Sequence, residues 1–502
     1  MKQSWYDQLI IDKYEQGIFK NLNEQTLRYL TSTVSEWEKY QDDNWDEIEF
    51  QNFFVPQWLY KLKRFRPHSW DFELGIISDC CQILKIYNQK MHDLIKFDLC
   101  KNFNMTRGVY IKVMKTLSSS IKSINNDWCD DWKQFIDLAR FALYQRDFSI
   151  NEYKEDLSEW FFNPDNSRHV IEGSEEKFLS EFKISVEEIL NKLVNKNPLT
   201  LDQFLDRPDL WAVSGSAKID IPDMYIKLRG KDKKLKRTKR SVGFLVPKNI
   251  LIEEINRTNT GGHVFNKYEE IRNRPVVNSE MNMYLLMCYL DEQVYKMISD
   301  EFNYCSPIFP KYDYFKDTSS QLERIGRFVN IPIDQSGFER QTSLEMIEII
   351  INRIIQLLPI EDRPIGEKIR HLFKNGWISF EKNGIKVIEK EKVTNGLLSG
   401  WKWTALFNTI INLAEFITVA RYLKIKYYNL CGLGDDTRAA VSDFATADLV
   451  LNTYEAFNIK VNKKVAIVSK TCDEFLRLVT EPGIINGYVN RIVASIVYRK
   501  PN

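Results

Sequence analysis

Three aspartates carry the most suggestive chemistry in this chain: Asp334, and the pair Asp435-Asp436 that follows Gly434 far downstream. Carboxylates converging from separate strands can hold two divalent cations about 4 Å apart, one activating an attacking hydroxyl and one stabilising a leaving phosphate. Mg²⁺ suits such a place, because a few carboxylates, phosphate oxygens and water complete its shell. Each piece alone also has an ordinary reading. Gly and Asp are frequent at hairpin tips because both tolerate turn geometry, and Asp334 could as well cap a helix or face solvent.

A second group is Ser399-Gly400, Thr404 and Asn408. Gly400 permits a flexible loop. Thr404 and Asn408, at i and i+4, share one helical face, with Leu406, Ile410, Leu413 and Ile417 expected as the apolar stripe. A polar pair on a buried helix needs partners, which a nucleotide can provide. A Ser-capped amphipathic helix with two tolerated polar residues fits the same letters.

The elements that must position these groups follow from periodicity. RFVNIPID reads as a strand ending at Asp334, although Pro332 is awkward in a central strand. YYNLCGL and TRAAV read as two strands flanking the Gly-Asp turn, a hairpin with carboxylates at its tip. SLEMIEIIINRIIQLL and WTALFNTIINLAEFITVARYL have helical spacing. Residues 1 to about 200 read mostly as helices, for example SVEEILNKLV from Ser185. Trp5, Trp37, Trp45, Trp58, Trp70, Trp128, Trp132 and Trp160 lie there and read as core and inter-helix packing. After Pro198 a loop, RPDLWAVSGSAK, leads to RGKDKKLKRTKR (Arg229 to Arg240), with eight basic residues in twelve. Such a run is equally a solvated surface or a nuclear-localisation look-alike.

Composition bounds the class. At 502 residues, two or three subdomains are expected. Hydrophobic residues make up 44% and charged residues 28%, ordinary for a globular protein. The net charge of +1 excludes a polycation that binds nucleic acid by bulk charge, but not a basic working surface. None of the eight cysteines forms a CxxC pair and the five histidines are scattered, which argues against structural zinc and for a reducing compartment. The N-terminus lacks a signal-peptide core, and no apolar run approaches the ~18 residues of a membrane span. The chain thus reads as cytosolic or enclosed in a particle.

Taken in order, Asp334, the SGxxxTxxxN pattern at Ser399 and Gly434-Asp435-Asp436 resemble motifs A, B and C of the viral RNA-dependent RNA polymerases. Sixty-five residues separate Asp334 from Ser399 and 36 separate Ser399 from Asp435, compatible with a right-hand palm. KYEEIRNR, from Lys267 to Arg274, resembles the basic finger element, motif F. TCDEFLRL, with Glu474-Phe475-Leu476, looks like motif E. WAVSGSA from Trp211 is similar to motif G of toti-like double-stranded RNA viruses, and GLLSGWKWTALFN to their motif B.

This resemblance implies an α+β right hand with a small antiparallel palm sheet backed by helices. Residues 1–200 would be a helical N-terminal region, 201–330 fingers with motifs G and F, and 331–342 palm motif A. Residues 343–395 would be a fingers insertion, 396–476 palm motifs B to E, and 477–502 a short thumb remnant. Only 26 residues follow Leu476, so the thumb is expected to be reduced, replaced by another chain or the N-terminal helices, or cut off by truncation. The implied activity is template-directed RNA synthesis from ribonucleoside triphosphates for viral replication and transcription, using two Mg²⁺ ions or Mn²⁺. Asp334 and Asp435 would hold the metal, with Asp436 assisting. Ser399, Gly400 and Thr404 would place template base and nucleotide, and Asn408 would read the ribose 2′-hydroxyl. Glu339 stands where many relatives have an Asp sharing that duty. Lys267, Arg272 and Arg274 would neutralise the triphosphate. Lys463 or Lys464 would protonate the departing pyrophosphate. Ser214, Gly215 and Ser216, with Lys233, Lys234, Lys236, Arg237, Lys239 and Arg240, would contact RNA phosphates. Implied partners are RNA template and product and a viral capsid protein or second polymerase subunit, in the virion interior or host cytoplasm. Two alternatives stay open. A reverse transcriptase would usually have a bulky residue where Gly434 stands, and a non-catalytic RNA-binding palm protein would have no use for clustered carboxylates.

Overall fold

The protein is described by a computed structural model. It covers Asp137 and residues 149–491 except 163–174, 192–198, 214, 220, 222–224, 229–230, 235, 259–260, 269–272, 298–313, 383, 463–467, 477 and 489–490. Seven of the eight N-terminal tryptophans lie outside these residues. The eighth, Trp160, is buried and stacks on Phe161.

Two helices lead in: α1 (Ile150–Phe161), closed by a Ser149/Glu152 capping box, and α2 (Glu175–Leu190). The short α3 (Leu201–Leu205) precedes the hairpin β1 (Tyr225–Leu228) and β2 (Lys231–Lys234). Helices α4 (Lys239–Leu245) and α5 (Lys248–Asn256) follow, then β3 (Gly261–Tyr268), β4 (Asn273–Ser279) and α6 (Met281–Met297). Next come α7 (Tyr314–Arg324), β5 (Val329–Asp334), α8 (Phe338–Gln341), α9 (Leu344–Leu357) and α10 (Arg363–Lys374). Strands β6 (Trp377–Lys382) and β7 (Ile385–Lys392) lead to α11 (Thr404–Leu423), β8 (Tyr428–Leu433), β9 (Asp436–Val441) and α12 (Phe444–Ala456). Three short strands complete the order: β10 (Asp473–Phe475), β11 (Leu478–Glu481) and β12 (Ile484–Gly487).

Two sheets hold the residues singled out by their chemistry. The first, ordered β4-β3-β6-β7, pairs β3 with β6 in parallel, so the segment after α10 builds one sheet with residues 261–279. The second, β5-β9-β8, is antiparallel with β9 in the middle. Its edge position explains Pro332. Asn330 exchanges both backbone bonds with Ser469 on the side away from β9, and Asn462 donates its N–H to the Asp334 carbonyl on that same side. Residues 330, 332 and 334 therefore turn their backbone polar groups outward, and a proline at 332 costs the β5–β9 ladder nothing.

Sequence explains the helices behind this sheet. Helix α9 is capped by Ser343, whose Oγ accepts from the Met346 N–H, and buries Met346, Ile347, Ile350, Ile351, Ile354 and Ile355 on one face. Helix α11 departs from the expected amphipathic stripe: it is buried on all sides from Leu406 to Ala420. It crosses the core with neighbours all around, packing on α2, α9 and both strands of the β8–β9 hairpin. The residues after Phe475 continue as the antiparallel β10-β11-β12 sheet. This sheet is joined to the β5-β9-β8 sheet by a buried ion pair, Arg438 Nη1 to Asp473 Oδ2 at 3.3 Å, with the guanidinium over the Phe475 ring.

Candidate active site

The β8–β9 hairpin closes through Gly434 and Asp435, with Leu433 opposite Asp436. Gly434 takes φ +63°, the left-handed region in which L side chains are strained, so glycine is what lets so tight a turn form. Asp435 is exposed at the tip and Asp436 is the first residue of β9. Asp334, the last residue of β5, has Asp436 as its direct cross-strand partner. Since residue 334 points its backbone groups away from β9, the pair is of the non-hydrogen-bonded kind, whose Cα atoms lie about 4.5 Å apart with side chains on one face. Two carboxylates so placed, with a third at the adjoining turn, repel one another unless a cation intervenes. The Asn462 amide lies within 3.4 Å of Asp334 Oδ2.

All three donors are hard oxygens, which suit Mg²⁺ or Mn²⁺ rather than a thiophilic metal. Among the described residues no three His, Cys, Asp or Glu side chains form a ready-made metal cage. An ion that completes its shell with phosphate oxygens and water needs no such cage, so the donor set fits.

The Ser399–Gly400 loop packs on β4. The Val277 N–H donates to the Ser399 carbonyl at 2.7 Å, and Ser399 is buried. Gly400 has φ +94°, and a Cβ there would stand 2.2 Å from Val276 Cγ1 and 3.0 Å from the Val277 carbonyl oxygen. Only glycine allows the loop to lie this close. On the same loop, Lys402 Nζ is 3.9 Å from Asp291 Oδ2, whose side chain is buried on α6 and whose carboxyl is pushed upward in pKa by that burial. Thr404, the first residue of α11, donates its hydroxyl to the Leu398 carbonyl at 2.8 Å. Asn408 is 4% exposed, and its Oδ1 is buried with no hydrogen-bond partner among the described residues. A solitary buried carbonyl is costly and marks a place where a donor is wanted. One helical turn further on, Asn412 contacts the Gly434 carbonyl, so Asn408 lies on the face of α11 that leads to the carboxylates.

On the basic hairpin, Lys267 on β3 is exposed and faces Arg274 on β4 in register. Arg274 is two residues from Val276, about 7 Å along the strand from the place where Gly400 approaches. Arg272 lies outside the described residues, as do Ser214, Lys463 and Lys464. Glu339 is buried on α8, and its carbonyl accepts from the Leu397 N–H just before the Ser399 loop.

Gly215 and Ser216 lie against the basic run. Ser216 bridges Thr238, the Ala217 N–H donates to the Arg237 carbonyl, and the Lys239 N–H donates to the Gly215 carbonyl. Lys236, Arg237 and Arg240 are exposed, while Lys233 and Lys234 sit on β2 opposite Ile226 and Tyr225. Lys239 departs from the expected phosphate-contacting surface. Its ammonium stands 3.6 Å over the Tyr284 ring, and desolvation lowers its pKa. The attraction of the aromatic face and the start of α4 turn this lysine inward.

The sequence reading missed Gln335, Thr409, Asn412 and Glu415, all fully or nearly buried beside the carboxylate turn. For the three on α11 the signal was available: Thr409, Asn412 and Glu415 recur at i, i+3 and i+6 in a helix that is otherwise mostly apolar.

A family model described as viral RNA-directed RNA polymerase matches residues 56–498. The chain is 28% identical over 322 residues to a probable RNA-directed RNA polymerase of Giardia lamblia virus (isolate Wang). That alignment covers 60% of this chain but only 16% of the relative's length. Among solved structures, the RNA-dependent RNA polymerase of a human picorbirnavirus aligns with TM-score 0.52 at 11% identity, covering 92% of this chain and 81% of that one. Its insertion-loop deletion mutant aligns with TM-score 0.50 at 10% identity, covering 83% and 75%. Among the described residues no helix is long and apolar enough to cross a membrane.

Proposed function

Because the chain belongs to the viral RNA-directed RNA-polymerase family and its fold is similar to that of right-hand polymerases, we propose that it synthesises RNA on an RNA template from ribonucleoside triphosphates, for viral replication. The observation that carries this reading is the register that sets Asp334 opposite Asp436 beside the Asp435 turn.

Asp334 and Asp435, with Asp436 assisting, would hold the metal. When bound, a pair of Mg²⁺ or Mn²⁺ ions activates the attacking 3′-hydroxyl and offsets charge on the leaving pyrophosphate. The chain's own groups bind and orient. Lys267, Arg272 and Arg274 draw the triphosphate toward the strand on which the Ser399–Gly400 loop rests. Asn408 Oδ1, buried with no donor among the described residues, accepts a hydrogen bond from the ribose 2′-hydroxyl, a duty that Glu339 on α8 would share. Ser399, Gly400 and Thr404 shape the loop under the base pair. Lys463 or Lys464, just beyond Asn462, gives a proton to the pyrophosphate oxygen. Gly215, Ser216, Lys236, Arg237 and Arg240 track RNA phosphates, as would Ser214, Lys233 and Lys234. The site of action is the virion interior or host cytoplasm, with a capsid protein or second polymerase subunit as a further partner.

The test is primed extension on an RNA template with ribo- or deoxyribonucleotides. Ribonucleotide incorporation by the wild type, lost in Asp435→Asn while RNA binding persists, is the expected result. Synthesis retained in that variant refutes the catalytic assignment, and preferred deoxynucleotide use points to a reverse transcriptase.

A further inference from the structure

Helix α11 carries polar side chains through a region where apolar ones would be cheaper. Thr409, Asn412 and Glu415 are each 0% exposed. Buried polar groups are tolerated when their hydrogen bonds are made, and what they bond to reveals what they are for. Here the partners are the two segments that bear the carboxylates. The Gly434 N–H donates to Thr409 Oγ1 at 2.9 Å, while that hydroxyl donates to the Ala405 carbonyl at 2.7 Å. Asn412 Nδ2 donates to the Gly434 carbonyl at 3.2 Å. Both backbone polar groups of the residue before Asp435 are therefore held by one helix.

The same helix reaches the other carboxylate. Gln335 comes directly after Asp334 and is 3% exposed. Its Nε2 donates to Asn412 Oδ1 at 3.1 Å and to Glu415 Oε2 at 2.7 Å. Asn412 thus spends its amide nitrogen on the Asp435 side and its amide oxygen on the Asp334 side. The ladder between β5 and β9 fixes Asp334 against Asp436, but it does not reach the turn residue Asp435. The Gln335–Asn412–Gly434 chain, steadied by Thr409 and Glu415, spans that gap.

Resting on the polymerase reading above, we infer that Gln335, Thr409, Asn412 and Glu415 are positioning residues that set the spacing of Asp435 from Asp334 without touching substrate. The geometry of a metal-binding carboxylate cluster matters on the scale of tenths of an ångström, and the residues that lock it govern how well the site works. The main-chain partner cannot be mutated away, so removing the side-chain acceptor leaves the Gly434 N–H without a bond.

Thr418 supplies the control. It is a buried threonine on the same helix, bonded to the Ala414 carbonyl and to Ser185 Oγ, remote from the turn. The experiment compares Thr409→Val, Thr409→Ser, Asn412→Leu and Thr418→Val for thermal stability, RNA binding, kcat and KM in ribonucleotide incorporation, and Mn²⁺ affinity by electron paramagnetic resonance. Thr409→Val and Asn412→Leu should lose about tenfold to a hundredfold in kcat, as expected for a misplaced catalytic geometry, with KM and RNA binding little changed. Their Mn²⁺ affinity should fall with kcat. Thr409→Ser, which keeps the hydroxyl, should recover most of both. Thr418→Val should lose stability alone. If Thr409→Val matches Thr418→Val in kcat and Mn²⁺ affinity at equal folded fraction, the positioning role is overturned and the polymerase reading stands. A folded wild type that makes no RNA removes both.

Discussion

Asn408 is a residue whose chemistry the fold leaves unfinished. Its amide oxygen is buried, with no partner among the described residues, on the helix face leading to the carboxylate turn. Replacing a group that awaits a ligand should harm recognition more than folding. Asn408→Leu is expected to keep or slightly raise the unfolding midpoint, while its preference for ribo- over deoxyribonucleotide falls about tenfold, the worth of roughly one hydrogen bond. Competition assays with paired ribo- and deoxyribonucleotides measure this. An unchanged preference would move sugar recognition to Glu339 or elsewhere. The carboxylates differ in kind: Asp334 and Asp436 are brought together by strand register, and Asp435 by a turn that a glycine makes possible.

Among the elements, β9 binds the assembly together. It pairs with β5 and β8, bears Asp436 at its start, and sends Arg438 down to Asp473 on β10. That ion pair is almost wholly buried, with side chains 2% and 4% exposed. Cutting one half leaves a charge in the interior, whereas replacing both with apolar groups can be nearly neutral. Arg438→Met should therefore cost about 3–5 kcal/mol, and adding Asp473→Leu should recover most of that loss. Urea denaturation of the single and double variants decides it; a double variant as unstable as the single would show that the pair does more than neutralise charge. The Ser399–Gly400 loop has a different hold, a close backbone approach to β4 that ties it to the strand carrying Arg274.

At the scale of the whole molecule, a net charge of +1 means that the proposed RNA binding must come from local patches. Lys236, Arg237 and Arg240 are exposed beside the Gly215–Ser216 loop, and Lys239 is folded inward over Tyr284. Changing the three exposed residues to glutamine should weaken binding of single-stranded RNA and flatten its dependence on log salt by about two units of slope, near 0.7 for each phosphate no longer neutralised. Changing Lys239 alone should leave that slope as it was. Binding measured across a salt series distinguishes the two, and an unaltered slope in the triple variant would take the RNA path off this face.

Much of the site was legible in the residues themselves because it depends on local rules. A strand, a Gly-Asp turn and a second strand can be read from alternation and turn chemistry, and a loop glycine before a long helix from spacing. Pairing partners lie beyond such rules. That Pro332 sits harmlessly on an edge, that β3 and β6 join across distant segments, and that Lys239 faces a tyrosine were decided by contacts between remote parts of the chain. Helix α11 shows the difference best. Its apolar period was readable, but a helix enclosed on every side has no solvent face, so its polar residues must find partners in the interior. Only the packed structure reveals that those of Thr409 and Asn412 include the backbone of the Gly434–Asp435 turn.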